Sequence, residues 1–146
     1  MKNRALYMNG KLNLAFKELD IPKPQPGEVL LKVGYCGVCG SDVHFYESGC
    51  IGATPIKGDL ILGHEAAGTV EAVGEGVTNV KVGDRVVLEP GIGCGHCEYC
   101  KSGRYNLCPD MQFISCPPYQ GAMRNYITHP AHLVYPLPEY VSTLEG

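Results

Sequence analysis

The chain has no tryptophan and three phenylalanines. With tyrosine, at nine residues, as the main aromatic, the core is expected to lean on aliphatic side chains. Positive charge is not in excess. Twelve Lys and Arg stand against fifteen Asp and Glu, for a net charge of −3 and a sequence pI near 5.9. That balance gives no electrostatic footprint for nucleic acid or an anionic membrane, and neither is expected as a partner. No apolar run approaches the length of a membrane span, and MKNRALYMNGKLNLAF lacks the apolar stretch of a signal peptide. The dinucleotide fingerprint G-x-G-x-x-G is also missing. The pairs Gly74/Gly76, Gly91/Gly93 and Gly93/Gly95 meet Asn79, His96 and Glu98 where the third glycine belongs. Nucleotide binding of that kind is not expected from this chain.

What is present is a 146-residue sequence, 45% hydrophobic and 18% charged, enough for one domain with a core. Nineteen glycines and eleven prolines imply frequent turns and short strands. Asn9-Gly10 predicts a hairpin turn between strands over 4–8 and 12–18. VLLKVGYC (29–36) reads as a buried strand, and SDVHFYES (41–48) as a short helix capped by Ser41 or Asp42. LILGHEAAGTVEAVG (60–74) reads as a turn followed by a strand, and VKVGDRVVLEP (80–90) as another strand. Two more short strands flank His129-Pro130 within 121–138, and 139–146 predicts the start of a helix. The expected fold is mostly β, a small distorted barrel with few short helices.

Eight cysteines without a secretion signal read as metal-binding thiols in a reducing cytosol, so a cytoplasmic location is expected. Cys94, Cys97, Cys100 and Cys108 form C-x2-C-x2-C-x7-C. Four thiolates this close along one segment can wrap a tetrahedral ion without help from elsewhere, the closed shell of a structural zinc site. Two disulfides are the competing reading, but cysteines three apart meet the required Cα separation poorly. A second dense region joins CGVCGSDVH (36–44) to LGHEAAG (62–68). There Cys39 and His64 can share one zinc, with Glu65 as an oxygen ligand. Three protein ligands with an open position make the catalytic type of zinc site. His64-Glu65 is not the start of H-E-x-x-H, because position 68 is Gly. Taken singly, Cys39 also reads as a buried thiol and His64-Glu65 as an ordinary polar pair.

G-x-C-G-S-D-x-H at 37–44, G-H-E-x-x-G at 63–68, V-G-D-R-V at 82–86 and the four-cysteine loop occur in this order. Together they resemble the N-terminal catalytic domain of the zinc-dependent medium-chain alcohol dehydrogenase family. The run GRYNLCPDMQFISCPPYQGAMRNYITHPAHLVYPLP is most similar to its sorbitol (polyol) dehydrogenase branch. The resemblance spans essentially the whole chain. It implies a GroES-like β domain over 1–146, with the loop 91–108 holding structural zinc. It also implies a Rossmann domain that this chain lacks, so a fragment is expected, inactive alone.

By resemblance Cys39 and His64 hold a catalytic zinc, with Glu65 as third ligand or as a carboxylate that exchanges with water. The same likeness makes Asp42 the acceptor for the His64 ring, Ser41 the first proton acceptor and His44 the relay to solvent. Ser41 also reads as a simple helix cap and His44 as an exposed side chain. Phe45 stands where the polyol branch often has Tyr. NAD or NADP would bind only with the missing domain, the substrate would be a small polyol or secondary alcohol, and the full-length protein is expected to be a homo-oligomer. The competing function is a non-catalytic, zinc-stabilised interaction module on the same fold. Cys36 and Cys116 read as buried thiols, Cys50 as an exposed one, His96 as a spacer, and His129 and His132 as strand-end residues.

Overall fold

In the computed structural model, which describes residues 2–146, short strands separated by turns dominate. The order is β1 (Asn3–Met8), β2 (Leu14–Leu19), β3 (Glu28–Cys36), α1 (Gly40–Ser48), β4 (Cys50–Ile51), β5 (Thr54–Pro55), β6 (Leu60–Ile61) and β7 (Ala66–Val73). It continues with β8 (Arg85–Leu88), β9 (Gly91–Ile92), α2 (Glu98–Lys101), β10 (Gln112–Phe113), β11 (Tyr126–Pro130) and β12 (Val134–Pro136). Among the described residues no helix is long and apolar enough to cross a membrane.

The central sheet is antiparallel with strand order β11-β3-β7-β8-β12. Its inner face carries Val29, Leu31, Val70, Val86, Ile127 and Val134, the aliphatic core the composition implied. Leu30, on the opposite face, is buried as well, and a register shift opposite Leu30 and Leu31 leaves Glu71 of β7 as the extra residue. A second shift between Val33 and Tyr35 bends β3 toward its end, just before the segment that carries Cys39. Gly68 allows β3 and β7 to close here, since a Cβ on it would meet the Lys32 carbonyl at 2.2 Å.

The edge strands β11 and β12 are joined by a turn of three residues, Ala131–Leu133. So short a link requires the sheet to coil until its edges approach. Among the described residues the strands nonetheless form separate sheets and no ladder closes them into a ring. A side-chain bond from His129 crosses the seam, and the β8–β12 and β3–β11 pairings each run one residue further. Glu89 N donates to Leu133 O at 2.8 Å, Ala131 N to Gly27 O at 2.8 Å, and His129 Nε2 donates to Glu89 O at 2.9 Å. The expected mostly β, GroES-like fold is thus present as a rolled, open form. A second sheet, β2-β1-β6, abuts it through the Ala5–Arg124 bridge.

Some local expectations differ. The first turn is the longer loop 9–13, with Gly10 and Leu12 both at positive φ, rather than a tight Asn-Gly turn. Helix α1 begins one residue before the predicted stretch. Its N-cap is Cys39, because the Asp42 side chain reaches back to the Cys39 amide. No helix forms over 139–146. Ser142 and Glu145 satisfy each other's amides reciprocally and close a single turn. His129 is the penultimate residue of β11, a strand-end residue, and is buried.

Candidate metal centres

The four-cysteine loop follows β9. All eight cysteines are free thiols, so no disulfide is formed. The ligand atoms of Cys94, Cys97, Cys100 and Cys108 lie within 4.8 Å of one another. Each of three backbone amides is 3.4 Å from a sulfur: Cys97 N to Cys94, Cys100 N to Cys97, and Cys94 N to Cys108. Such donors favour thiolates. The amides of His96 and Cys97 hold the Cys94 thiol down to about 6. Desolvation, followed by hydrogen bonding to the other cysteines, pushes Cys100 up to about 12. Four sulfurs in this arrangement suit zinc. His96 turns its Nδ1 to the Cys94 carbonyl at 2.9 Å and is exposed, which fits a spacer.

Tyr105 ties this loop to the sheet. Its hydroxyl donates to Glu89 Oε2 at 3.2 Å, and Glu89 Oε1 accepts from Gly91 N at 3.1 Å. The Glu89 carbonyl is the same one that receives the His129 bond, so one residue joins the loop, β8 and the seam.

The second centre is assembled from two distant segments. Cys39 comes from the N-cap of α1, and His64 and Glu65 from the turn between β6 and β7. Their ligand atoms also lie within 4.8 Å of one another. Gly63 makes the turn possible. It sits at φ 87°, and a Cβ there would meet Cys36 Sγ at 2.5 Å. Gly37 clears space for Glu65, since a Cβ there would lie 2.4 Å from Glu65 Oε2. Gly37 N also donates to the Glu65 carbonyl at 2.7 Å. Sulfur, imidazole nitrogen and carboxylate oxygen form a donor set that fits zinc and is not closed into a four-residue shell.

Asp42 is buried beneath this centre. Its Oδ2 accepts from Cys39 N at 3.0 Å, and its Oδ1 accepts from Gly63 N at 3.2 Å and Ser115 Oγ at 3.4 Å. The expected bond from the His64 ring is not made. The carboxylate oxygens are engaged by two amides and a hydroxyl, so Asp42 fixes the backbone on either side of the centre rather than the imidazole. His64 is oriented by Phe113, whose ring meets it edge-on at 5.2 Å between centroids.

Two hollows adjoin the centre. One, of about 290 Å³, brings Ser41, Phe45 and His64 together with Phe113, Ser115 and Cys116. The other, of about 500 Å³, runs past Gly37, His64 and Glu65 to Thr143 and Leu144. His44 lies three residues after Ser41 on α1 and is exposed. Phe45 is buried with Met8, Leu60 and Leu62. Cys36, Cys50 and Cys116 are half-buried, and burial pushes the Cys36 thiol up to about 11. Phe113, Ser115 and Glu89 were not singled out from sequence. Phe113 and Ser115 lie in 109–120, where hydrophobic periodicity marks no regular element, and their roles arise from contacts with 42 and 64. A signal was available for Glu89, an acidic residue ending a buried strand.

Comparison with known proteins adds an independent line. Residues 25–139 match the alcohol dehydrogenase GroES-like domain. The probable D-xylulose reductase A of Emericella nidulans is 44% identical over 146 residues, covering 99% of this chain and 41% of that protein. The zinc-type alcohol dehydrogenase-like protein YdjJ of Escherichia coli is 47% identical over 148 residues, covering 100% of this chain and 43% of that protein. A crystal structure of an Escherichia coli oxidoreductase/dehydrogenase of unknown specificity superposes with a TM-score of 0.93 at 46% identity, covering 100% of this chain and 43% of the other. An Escherichia coli alcohol dehydrogenase (rspB) complexed with NADH superposes with a TM-score of 0.87 at 34% identity, covering 97% of this chain and 40% of the other. The chain thus spans about two fifths of the length of the relatives it matches.

Proposed function

The chain belongs to the alcohol dehydrogenase GroES-like domain family, and from that premise we propose that it is the zinc-binding catalytic domain of an NAD(P)-dependent polyol dehydrogenase. The observation that carries this reading is the convergence of Cys39, His64 and Glu65 beside a hollow that Ser41 borders. Cys39 and His64 would hold the catalytic zinc, with Glu65 as third ligand or exchanging with water, and Cys94, Cys97, Cys100 and Cys108 would hold a structural one. The chemistry zinc supplies at the first site is Lewis acidity toward an alcohol oxygen. NAD or NADP, held outside this chain, would accept the hydride of the same carbinol carbon. The name of the xylulose reductase relative and the NADH in the rspB complex support a polyol–ketose pair and a nicotinamide acceptor.

The chain's own residues then divide the work. Ser41, two positions after Cys39, receives the hydroxyl proton. His44, on the same helical face as Ser41 and open to water, passes it on. Phe45, Ile51 and Phe113 form apolar walls that keep water from the reacting carbon. Asp42 keeps Cys39 and the His64 turn in register through their amides.

The experiment is NAD- and NADP-dependent oxidation of xylitol and sorbitol by the full-length protein and by the chain alone. The full-length protein turns over at least one polyol, Cys39→Ser abolishes that turnover, and the 146-residue chain alone shows none. Loss of all polyol activity in a full-length protein that holds two zinc ions would overturn the substrate assignment. Turnover by the chain alone would overturn the expected dependence on a second domain.

A further inference from the structure

Between β1, β2 and the segment 123–125 lies a cavity of about 360 Å³ bordered by Arg4, Phe16, Gly34, Cys36, Arg124 and Asn125. Two arginines, Arg4 and Arg124, line it and no carboxylate does. Arg124 Nε is enclosed and has no hydrogen-bond partner among the described residues. Burial pushes the Arg124 guanidinium below its ordinary value, and the Tyr7 hydroxyl acts weakly in the other direction. Glu18 faces Arg4 in the strand register but pairs with Lys2. Arg4 itself sits over the Phe16 ring, 3.9 Å from Cζ to centroid.

Arg4 lies in β1 and Arg124 in the segment bridged to it, and backbone bonds tie the two together. Arg4 N donates to Asn125 Oδ1 at 2.8 Å and Asn125 N to Arg4 O at 3.0 Å. Leu6 N donates to Met123 O at 2.8 Å and Val33 N to Asn125 O at 2.9 Å. A guanidinium kept largely out of water without a counter-charge is costly, and an enclosed N–H without a partner adds to that cost. Planar forks on fixed stems are the groups that bind carboxylates and phosphates through paired hydrogen bonds.

We infer that this cavity is an anion site in which Arg4 and Arg124 together bind one small oxyanion, a carboxylate or a phosphate. Cys36 borders both this cavity and the cleft of His64 and Glu65, so the site backs onto the metal centre without sharing its ligands. It is independent of the dehydrogenase reading.

The test is NMR observation of the Arg124 Nε–H signal in the zinc-loaded chain during titration with inorganic phosphate and, separately, with sodium acetate, at ionic strength fixed with chloride. A saturable shift with either anion supports the site. A response to phosphate alone marks a phosphate group as its natural partner, and an equal response to acetate marks a carboxylate. Arg124→Met removes the reporter, so its affinity is read from the backbone amide of Asn125 and should fall about tenfold or more. Should that variant fail to fold, Arg4→Met, at an exposed position, should weaken binding several-fold with the Arg124 signal still visible. An Arg124 Nε–H signal that neither anion moves up to about 50 mM, the weak end of measurable affinity, overturns the proposal.

Discussion

The two candidate metal centres differ in how they are built. In the loop 91–108 all four sulfurs come from one stretch of chain, and the amides that support them belong to the same stretch. Around Cys39 and His64 the groups come from α1, the β6–β7 turn and the 109–120 segment, and Asp42 binds the three together. On this account the first centre should depend on metal for its order and the second on the fold. A local cluster can be spoiled at one cysteine with the rest of the domain intact. A distributed one can be spoiled by a residue that never touches the metal.

The largest effect is expected in the loop. Cys100→Ser leaves three thiols around one ion, and the loop has few apolar residues to hold itself. Zinc in small peptides supplies roughly 10–16 kcal/mol of apparent binding energy. The variant should lose hydrogen-exchange protection across 91–108 and melt well below the parent, while α1 and β7 stay protected. Unchanged protection in the loop would break the contrast from one side.

Asp42→Asn should break it from the other. An amide offers one oxygen where the carboxylate uses both, so one of the donors Cys39 N, Gly63 N and Ser115 Oγ loses its acceptor. The expected loss is about 2–4 kcal/mol of stability in urea unfolding. Zinc affinity at Cys39 and His64 should fall about 10–100-fold while the four-cysteine site keeps its metal. Equal weakening of both sites would mean that Asp42 acts on global stability alone. Gly63→Ala should be milder, costing about 1–3 kcal/mol from the positive φ and the clash with Cys36. Its effect should also appear at the His64 site first, read as faster zinc release to a chelator.

The smallest effect concerns the seam. Burial pushes the His129 imidazole below its ordinary value of 6.5, so the unfolded chain takes up the proton more readily than the folded one. Stability from this group is therefore present above that value and is lost as pH falls toward the lowered folded one. His129→Gln, which can still donate to Glu89 O, should flatten the fall in melting temperature below pH 6.5. An unaltered acid limb would show that the seam does not carry it.

Much of this organisation was legible because it is periodic or local. β3 follows from its apolar run, α1 from the polar capping residues at its start and the hairpin region from its glycine, and cysteine spacing alone singles out the loop 91–108. What sequence could not supply is pairing at a distance. Asp42, expected to bond His64, instead bonds Ser115, seventy-three residues away, and the amides of Cys39 and Gly63. The helix cap shifted to Cys39 because the Asp42 side chain reaches backward. The burial of His129 and its bond to the Glu89 carbonyl arise only when the coiled sheet brings the two strands together.

The central claim is that one chain holds two zinc sites that fail independently. Zinc counting by native mass spectrometry, on the parent and on Cys39→Ser and Cys100→Ser, tests it directly. The parent should carry two ions, one removed quickly by a mild chelator. Cys39→Ser should lose the labile ion and keep the resistant one, and Cys100→Ser should do the reverse. A parent with a single ion, or a Cys39→Ser variant that still carries two, would contradict the account.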